Sequence, residues 1–294
     1  MPFRLLVLGA SGQLATALRA AADTRTIVTA LGRADIDLAR PDAEETLAAA
    51  LHAHAPDAVV NAAGYTAVDA AESDAAGAFA LNYDAPRAAA QACAAAGVAF
   101  VHVSTDYVFD GAKGAPYAET DAKQPLNIYG RSKSDGEDAV LAAHERAAVV
   151  RTSWVFSATG SNFVKTMLRL AGERDGVDVV ADQIGRPTYA PDLAAACLAA
   201  ATRLADGDAA ADVFHLTGAG DASWADVAEE VFRASAARGG RCVPVRRITT
   251  AERPTPARRP LDTRLDTTAF ERTFGIAPAP WRERVETCVA ALLA

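Results

Sequence analysis

Five short apolar runs punctuate the first half of the chain: residues 3–9 (FRLLVLG), 26–31 (TIVTAL), 57–63 (DAVVNAA), 99–105 (AFVHVST) and 147–153 (AAVVRTS). Between them lie alanine-rich stretches at 13–22, 42–54 and 74–97, and another segment of helical pattern follows Asn127. Alanine has the strongest helix propensity, and runs with little polar alternation suit strands that are covered on both faces. Strands that alternate with helices in this way imply βαβ units and a parallel sheet. After about residue 155 the rhythm loosens. Helices are predicted at 161–173, 191–204, 223–237 and 281–293, separated by VDVVADQIGRPT, VFHLTG and a proline- and arginine-rich block at 244–266. No shift in composition marks a linker. The second half is therefore expected to form a smaller lobe growing out of the sheet's C-terminal edges, with some chain returning to the sheet.

The 294 residues suffice for one large domain or two modest ones, and either can bury a full core. The formal net charge of −8 speaks against a nucleic-acid partner, which would need a basic footprint. The apolar run near the N-terminus breaks at Gly9, and no other run approaches the length of a membrane span. Cys93, Cys197, Cys242 and Cys288 are far apart and no histidine stands at zinc spacing, so free thiols in a reducing compartment are expected. These features fit a cytoplasmic protein with no membrane partner and no metal.

The first run ends in LLVLGASGQLATAL, which places Gly9, Gly12 and Ala15 between a strand and a helix. The turn needs glycine, Gly12 lets a diphosphate approach the helix N-terminus, and Ala15 is small enough for close helix–strand packing. The expected fold is an α/β, Rossmann-type doubly wound parallel sheet with a smaller C-terminal α/β lobe. The second strand ends in LGRADIDL. Arg33 comes first and suits the 2′-phosphate of NADPH; Asp35 and Asp37 follow, which keeps NADH open, and Asp37 and Leu38 fit beside the adenine.

STDYVFDG (104–111) follows the fourth strand and so lies at the sheet's C-terminal edge, where open α/β sheets bind ligands. Tyr129 and Lys133 are one helical turn apart and share a face. Hydride arriving at a ketone carbon leaves negative charge on oxygen, so a proton donor must stand beside it. A tyrosine has the reach, and a nearby ammonium would lower its pKa toward the useful range. Thr105 can donate a second hydrogen bond to the same oxygen.

GASGQLA, NAAGYTAVDAAE, STDYVFDG, the Tyr129-x-x-x-Lys133 pair, RTSWVFSATGSNFVKTMLRLA, DQIGRPT and PTPARRPLDTRLD occur in this order. Together they resemble the extended short-chain dehydrogenase/reductases, and within them the dTDP-4-dehydrorhamnose reductase group, from residue 3 to about residue 285. The resemblance implies a catalytic trio of Thr105, Tyr129 and Lys133. Thr105 would polarise a sugar C4 carbonyl, Tyr129 would supply the proton, and Lys133 would tune Tyr129 and hold the nicotinamide ribose. Ser11, Gly12, Gln13 and Leu14 beside Gly9 would cradle the diphosphate. Gly64, Tyr65, Thr66 and Val103 would line the nicotinamide side. Thr105, Asp106 and Trp154 would touch the sugar, with Trp154 offering a flat apolar face. The domains implied are 1–155, binding NADP and carrying the Tyr/Lys helix, and 156–294, mainly substrate-binding.

A thymidine diphosphate needs cations, and Arg246, Arg247, Arg253, Arg258, Arg259 and Arg264 crowd one C-terminal segment. Asn162 and Lys165 are further candidates for nucleotide contacts. Arg259-Pro260-Leu261-Asp262-Thr263 departs from the asparagine and serine common after the proline in the family. Ala17 and Pro191 stand in the regions where some members carry metal-bridging glutamates. The expected activity is NADPH-dependent reduction of a nucleotide-linked 4-keto-6-deoxyhexose by a monomer or homodimer. The alternatives are a sister reductase making another deoxysugar and a non-catalytic NADP-sensing subunit.

Overall fold

The computed structural model describes residues 1–40, 42–209 and 211–294. The chain begins with β1 (Phe3–Leu8), α1 (Gln13–Ala20), β2 (Thr26–Leu31), α2 (Ala43–His54) and β3 (Ala58–Asn61). Short α3 (Val68–Ala71) and α4 (Ala75–Phe79), a π-helical turn (Ala80–Asp84) and α5 (Ala85–Ala96) lead to β4 (Ala99–Thr105). A 3-10 turn (Asp106–Val108), α6 (Ile128–Ala143) and β5 (Ala147–Thr152) follow. Next come β6 (Val155–Phe156), α7 (Phe163–Glu173), β7 (Val177–Val180), β8 (Ile184–Gly185), β9 (Thr188–Tyr189), α8 (Ala190–Ala205) and β10 (Asp212–His215). The chain closes with β11 (Ala222–Ser223), α9 (Trp224–Ala236), β12 (Val245–Ile248), α10 (Thr268–Phe274) and α11 (Trp281–Leu293).

All five predicted strands form, and β10 joins them in a six-stranded parallel sheet ordered β10-β5-β4-β3-β1-β2. Alternation along β1 shows how the sheet is covered. Leu5 and Val7 pack toward α1, α8 and α10, while Leu6 and Leu8 pack toward α2, α5 and α6. Strand order reverses around β1, which has β2 on one side and β3 on the other, and this opens a crevice at the strands' C-terminal ends. A separate apolar cluster, including Met167, Val231, Phe232 and Val285, joins α7, α9 and α11. By contrast α8 returns to the sheet, burying Leu193, Cys197 and Leu204 in the cluster that holds Leu5.

One difference from the sequence reading has a physical cause. The stretch 74–97 is not one helix: it is interrupted by the π-helical turn. There the buried Asn82 donates through Nδ2 to Tyr65 O and to Ser132 Oγ, both at 3.0 Å, and accepts from Tyr65 N at 2.9 Å. The turn points that side chain into the space between α6 and the loop after β3, and π-bulges commonly mark such sites. The proline- and arginine-rich block is ordered, in keeping with a composition too varied for a disordered segment. It forms β12 beside β7, then crosses the molecule to bridge Tyr117 at Leu265 and Ile184 at Asp262.

Candidate active site

The C-terminal ends of β1, β3, β4 and β5 open into a cavity of about 450 Å³. Asn127 starts α6 there: its Oδ1 accepts from Gly130 N at 2.8 Å, and its Nδ2 donates to Arg258 O at 2.9 Å. The helix thereby presents Tyr129 and Lys133 to the cavity, facing Val103, Thr105 and Asp106 from β4 and its turn. Ser11, Gly12, Gln13 and Leu14 line one end, Gly64 and Thr66 another, and Trp154 lies beyond β5. Gly9 is not in the wall; with φ +102° it makes the turn beneath, where a Cβ would come within 3.3 Å of Ala63 N. Tyr65 is held alongside by Asn82. Arg33, Asp37 and Leu38 lie outside this cavity: Arg33 is exposed past the end of β2, and Leu38 packs on the core beside α2.

The wall at α1 suits a dinucleotide diphosphate. No side chain caps the helix, no acid occupies its first turn, and a Cβ on Gly12 would meet nothing within 4 Å. The first N–H groups and the positive end of the dipole therefore remain open to an anion. Gln13 has another task. Its Nε2 donates to Val155 O at 3.1 Å, and its Oε1 accepts from Ser157 Oγ and Asn162 Nδ2, both at 2.9 Å. Asn162 is thus engaged at the α1 end and caps α7 through Lys165 N, and neither Asn162 nor Lys165 reaches the second cavity described below.

Burial dominates the electrostatics. It raises Tyr129 well above the ordinary phenol value, with a Thr105 hydrogen bond opposing and the Asp106 charge adding to the rise. It lowers Lys133 to about 8, partly offset by Glu137. Lys133 Nζ donates to Val103 O at 2.8 Å, and burial is the largest influence on the phenol. Asp106 is also raised, to about 7, by burial that hydrogen bonds from Thr263 and Thr105 only partly offset. Behind the site, Ser104 Oγ donates to Glu137 Oε1 at 2.5 Å, and Arg151 grips both Glu137 oxygens at 2.8 and 2.7 Å. Sequence reading missed this group, although Glu137 lies one turn beyond Lys133 on the same helix.

Trp154 reaches the cavity in a packed setting. Its ring stacks on Trp224 at 3.7 Å and 10°, a side chain at Gly185 would come within 2.7 Å of its Cε2, and its backbone is left-handed at φ 49°. The indole lines the cavity, but Trp224 occupies one of its flat faces. Trp224 and Tyr107 open onto a second cavity of about 700 Å³, with Phe163, Arg169, Arg174, Arg253 and Arg259 in its wall. The arginine cluster is dispersed: Arg246 pairs with Asp178, Arg247 with Asp226 and Glu229, and Arg264 with Asp262 and Asp221. Arg258 faces a neighbouring groove. Only Arg253 and Arg259 of the six reach the second cavity, while Arg169 and Arg174 come from α7 and its C-terminal cap, the helix on which Asn162 and Lys165, rather than these arginines, were the expected nucleotide contacts.

The family model described as "RmlD substrate binding domain" matches residues 3–294. A dTDP-4-dehydrorhamnose reductase of Sinorhizobium fredii is 48% identical over 99% of this chain and 98% of its own length. A probable dTDP-4,6-dihydroxy-2-methyloxan-3-one 4-ketoreductase of Streptomyces antibioticus is 42% identical over 99% and 96%. Among solved structures, a dTDP-4-dehydrorhamnose reductase of Bacillus anthracis in complex with NADP superposes with a TM-score of 0.89 at 31% identity, covering 99% of this chain and all of that one.

Proposed function

The chain belongs to the dTDP-4-dehydrorhamnose reductase family, and from that premise we propose that it is an NADPH-dependent ketoreductase. The reaction is reduction of the C4 ketone of dTDP-4-dehydro-6-deoxy-L-mannose to dTDP-L-rhamnose. The observation that carries this reading is the convergence of Thr105, Tyr129 and Lys133 on the cavity that the uncapped end of α1 enters. NADPH, when bound, supplies the hydride to C4. Tyr129 gives its phenolic proton to O4, so that ketone, NADPH and one proton become alcohol and NADP⁺. Burial keeps that phenol protonated at neutral pH, as a donor must be. Thr105 holds O4 by a second hydrogen bond, and Lys133 carries positive charge on the same helix face as the phenolate left behind. Ser11, Gly12, Gln13 and Leu14 receive the diphosphate, Gly64, Thr66 and Val103 flank the nicotinamide, and Arg33 meets the 2′-phosphate beyond β2. The NADP complex of the Bacillus anthracis relative supports that choice of cofactor.

The second cavity suits the thymidine diphosphate: Trp224 and Phe163 offer aromatic surface to a base, and Arg174, Arg253 and Arg259 offer guanidinium forks to phosphate. We take 1–155 as the dinucleotide-binding unit and 156–294 as mainly the substrate lobe. The free thiols and the reductant fit a cytoplasmic location. The Streptomyces antibioticus relative favours one second reading, a sister 4-ketoreductase acting on another dTDP-linked sugar. Purified chain given NADPH and dTDP-4-dehydrorhamnose should consume NADPH and yield dTDP-L-rhamnose by NMR. Cofactor binding without oxidation would overturn the reductase reading, and a C4-epimeric product would select the sister enzyme.

A further inference from the structure

We propose that Asp106 works as an uncharged carboxylic acid that aims the single hydroxyl hydrogen of Thr105 at the ketone oxygen, with Thr263 fixing which carboxyl oxygen carries the proton. This deepens the ketoreductase reading and rests on it. Asp106 is 2% exposed; its Oδ1 lies 3.0 Å from Thr105 Oγ1 and its Oδ2 lies 2.5 Å from Thr263 Oγ1. Thr105 Oγ1 also accepts from Tyr107 N at 3.2 Å. A threonine hydroxyl has one hydrogen and two lone pairs, whereas an ionised carboxylate only accepts. If Asp106 is ionised, the Thr105 hydrogen is drawn to it, and a ketone oxygen, itself an acceptor, meets only lone pairs. If Oδ1 carries a proton, it donates to Thr105 and Tyr107 N donates to the other lone pair. The Thr105 hydrogen is then free to turn into the cavity, toward Tyr129 and the ketone oxygen that Tyr129 would protonate. Thr263 donates to Oδ2 and so leaves Oδ1 as the protonated oxygen. Asp106 keeps its proton throughout the reaction; it and Thr263 are positioning residues.

The groups facing Asp106 do little to hold a charge there. Tyr107 comes from its own turn, Tyr129 from α6 and Thr263 from the segment after β12. Lys133 shares α6 but spends its ammonium on Val103 O, and Arg259 lies over the Tyr107 ring while paired with Asp69. The carboxyl accordingly rises to about 7, so both forms exist in the physiological range.

The test is the pH profile of kcat/KM for the full chain with NADPH and the keto sugar. Wild type should show an alkaline limb that begins near Asp106's value and falls about tenfold per pH unit beyond it. In Asp106→Asn the amide donates to Thr105 at every pH, so the limb near 7 should disappear and only the fall set by Lys133 near 8 should remain. Thr263→Val removes a bond that favours the charged form, so its limb should move to higher pH. A readout independent of turnover is the infrared band of a protonated carboxyl. In wild-type protein alone it should fade between about pH 6 and about pH 8.5 and be missing from Asp106→Asn. An unchanged limb in Asp106→Asn, or no such band in wild type, would overturn the proposal. Absence of NADPH oxidation by wild type would instead remove the ketoreductase reading, with the infrared titration still deciding the state of Asp106.

Discussion

Tyr129 is half-buried where α6 meets the cavity, and on the proposed reading its proton is its contribution to the reaction. Tyr129→Phe removes one hydroxyl and keeps the ring. Turnover should therefore fall by about 10²–10⁴-fold, while the NADPH dissociation constant, measured by fluorescence, changes little. Asp106 makes a second prediction, in stability. Its native pKa of about 7 lies above the ordinary 3.8, so the native state holds a proton that the unfolded chain releases between those values. The stabilisation from this group is complete below about pH 4 and is lost as pH rises to about 7, at up to about 1.4 kcal/mol per unit. Urea unfolding of wild type against Asp106→Asn across that window measures it, and a flat difference would contradict the assignment. Tyr129, Lys133 and Thr105 were legible because helical spacing and a strand end place them. The state of Asp106 was not, because it depends on Thr263, 157 residues away along the chain.

The π-helical turn shows how one helix sets the shape of another. Gly136 of α6 lies so close to it that a Cβ would come within 1.9 Å of Asn82 O. Gly136→Ala must push the turn away and loosen the three Asn82 bonds to Tyr65 and Ser132, at a cost of about 1–3 kcal/mol. A melting temperature lower by several degrees, together with a raised KM for NADPH, would be the signature; unchanged values would mean the contact relaxes freely. Alanine content announced a helix over 74–97, but nothing local in that stretch says where a partner helix will press on it. Strand positions were easier to read, since burial on both faces leaves its mark in each run of β-branched and aliphatic residues.

Across the whole molecule, Glu137 on α6, Arg151 on β5, Ser104 on β4 and His215 on β10 form one buried polar group. Burial, with the Arg151 charge adding, lowers His215 to about 3, so it remains neutral and Arg151 relies on Glu137 for its countercharge. Glu137→Ala should destabilise the fold by about 3–5 kcal/mol in urea titration, because it leaves a buried guanidinium alone. Loss of less than about 1 kcal/mol would show that water takes the carboxylate's place. The arginine-rich segment illustrates the limit of composition at this scale: six like charges were visible, but not the acids on α3, β7, α9 and neighbouring loops that claim four of them. The sheet's own edge has a consequence in time. β10 covers β5, yet it lies roughly sixty residues later in the chain, and synthesis runs at about 5–20 residues per second. For several seconds on the ribosome the nascent protein carries β5 as an unpaired border with its arginine exposed, and mutations or truncations that delay β10 extend the interval in which another chain can pair there.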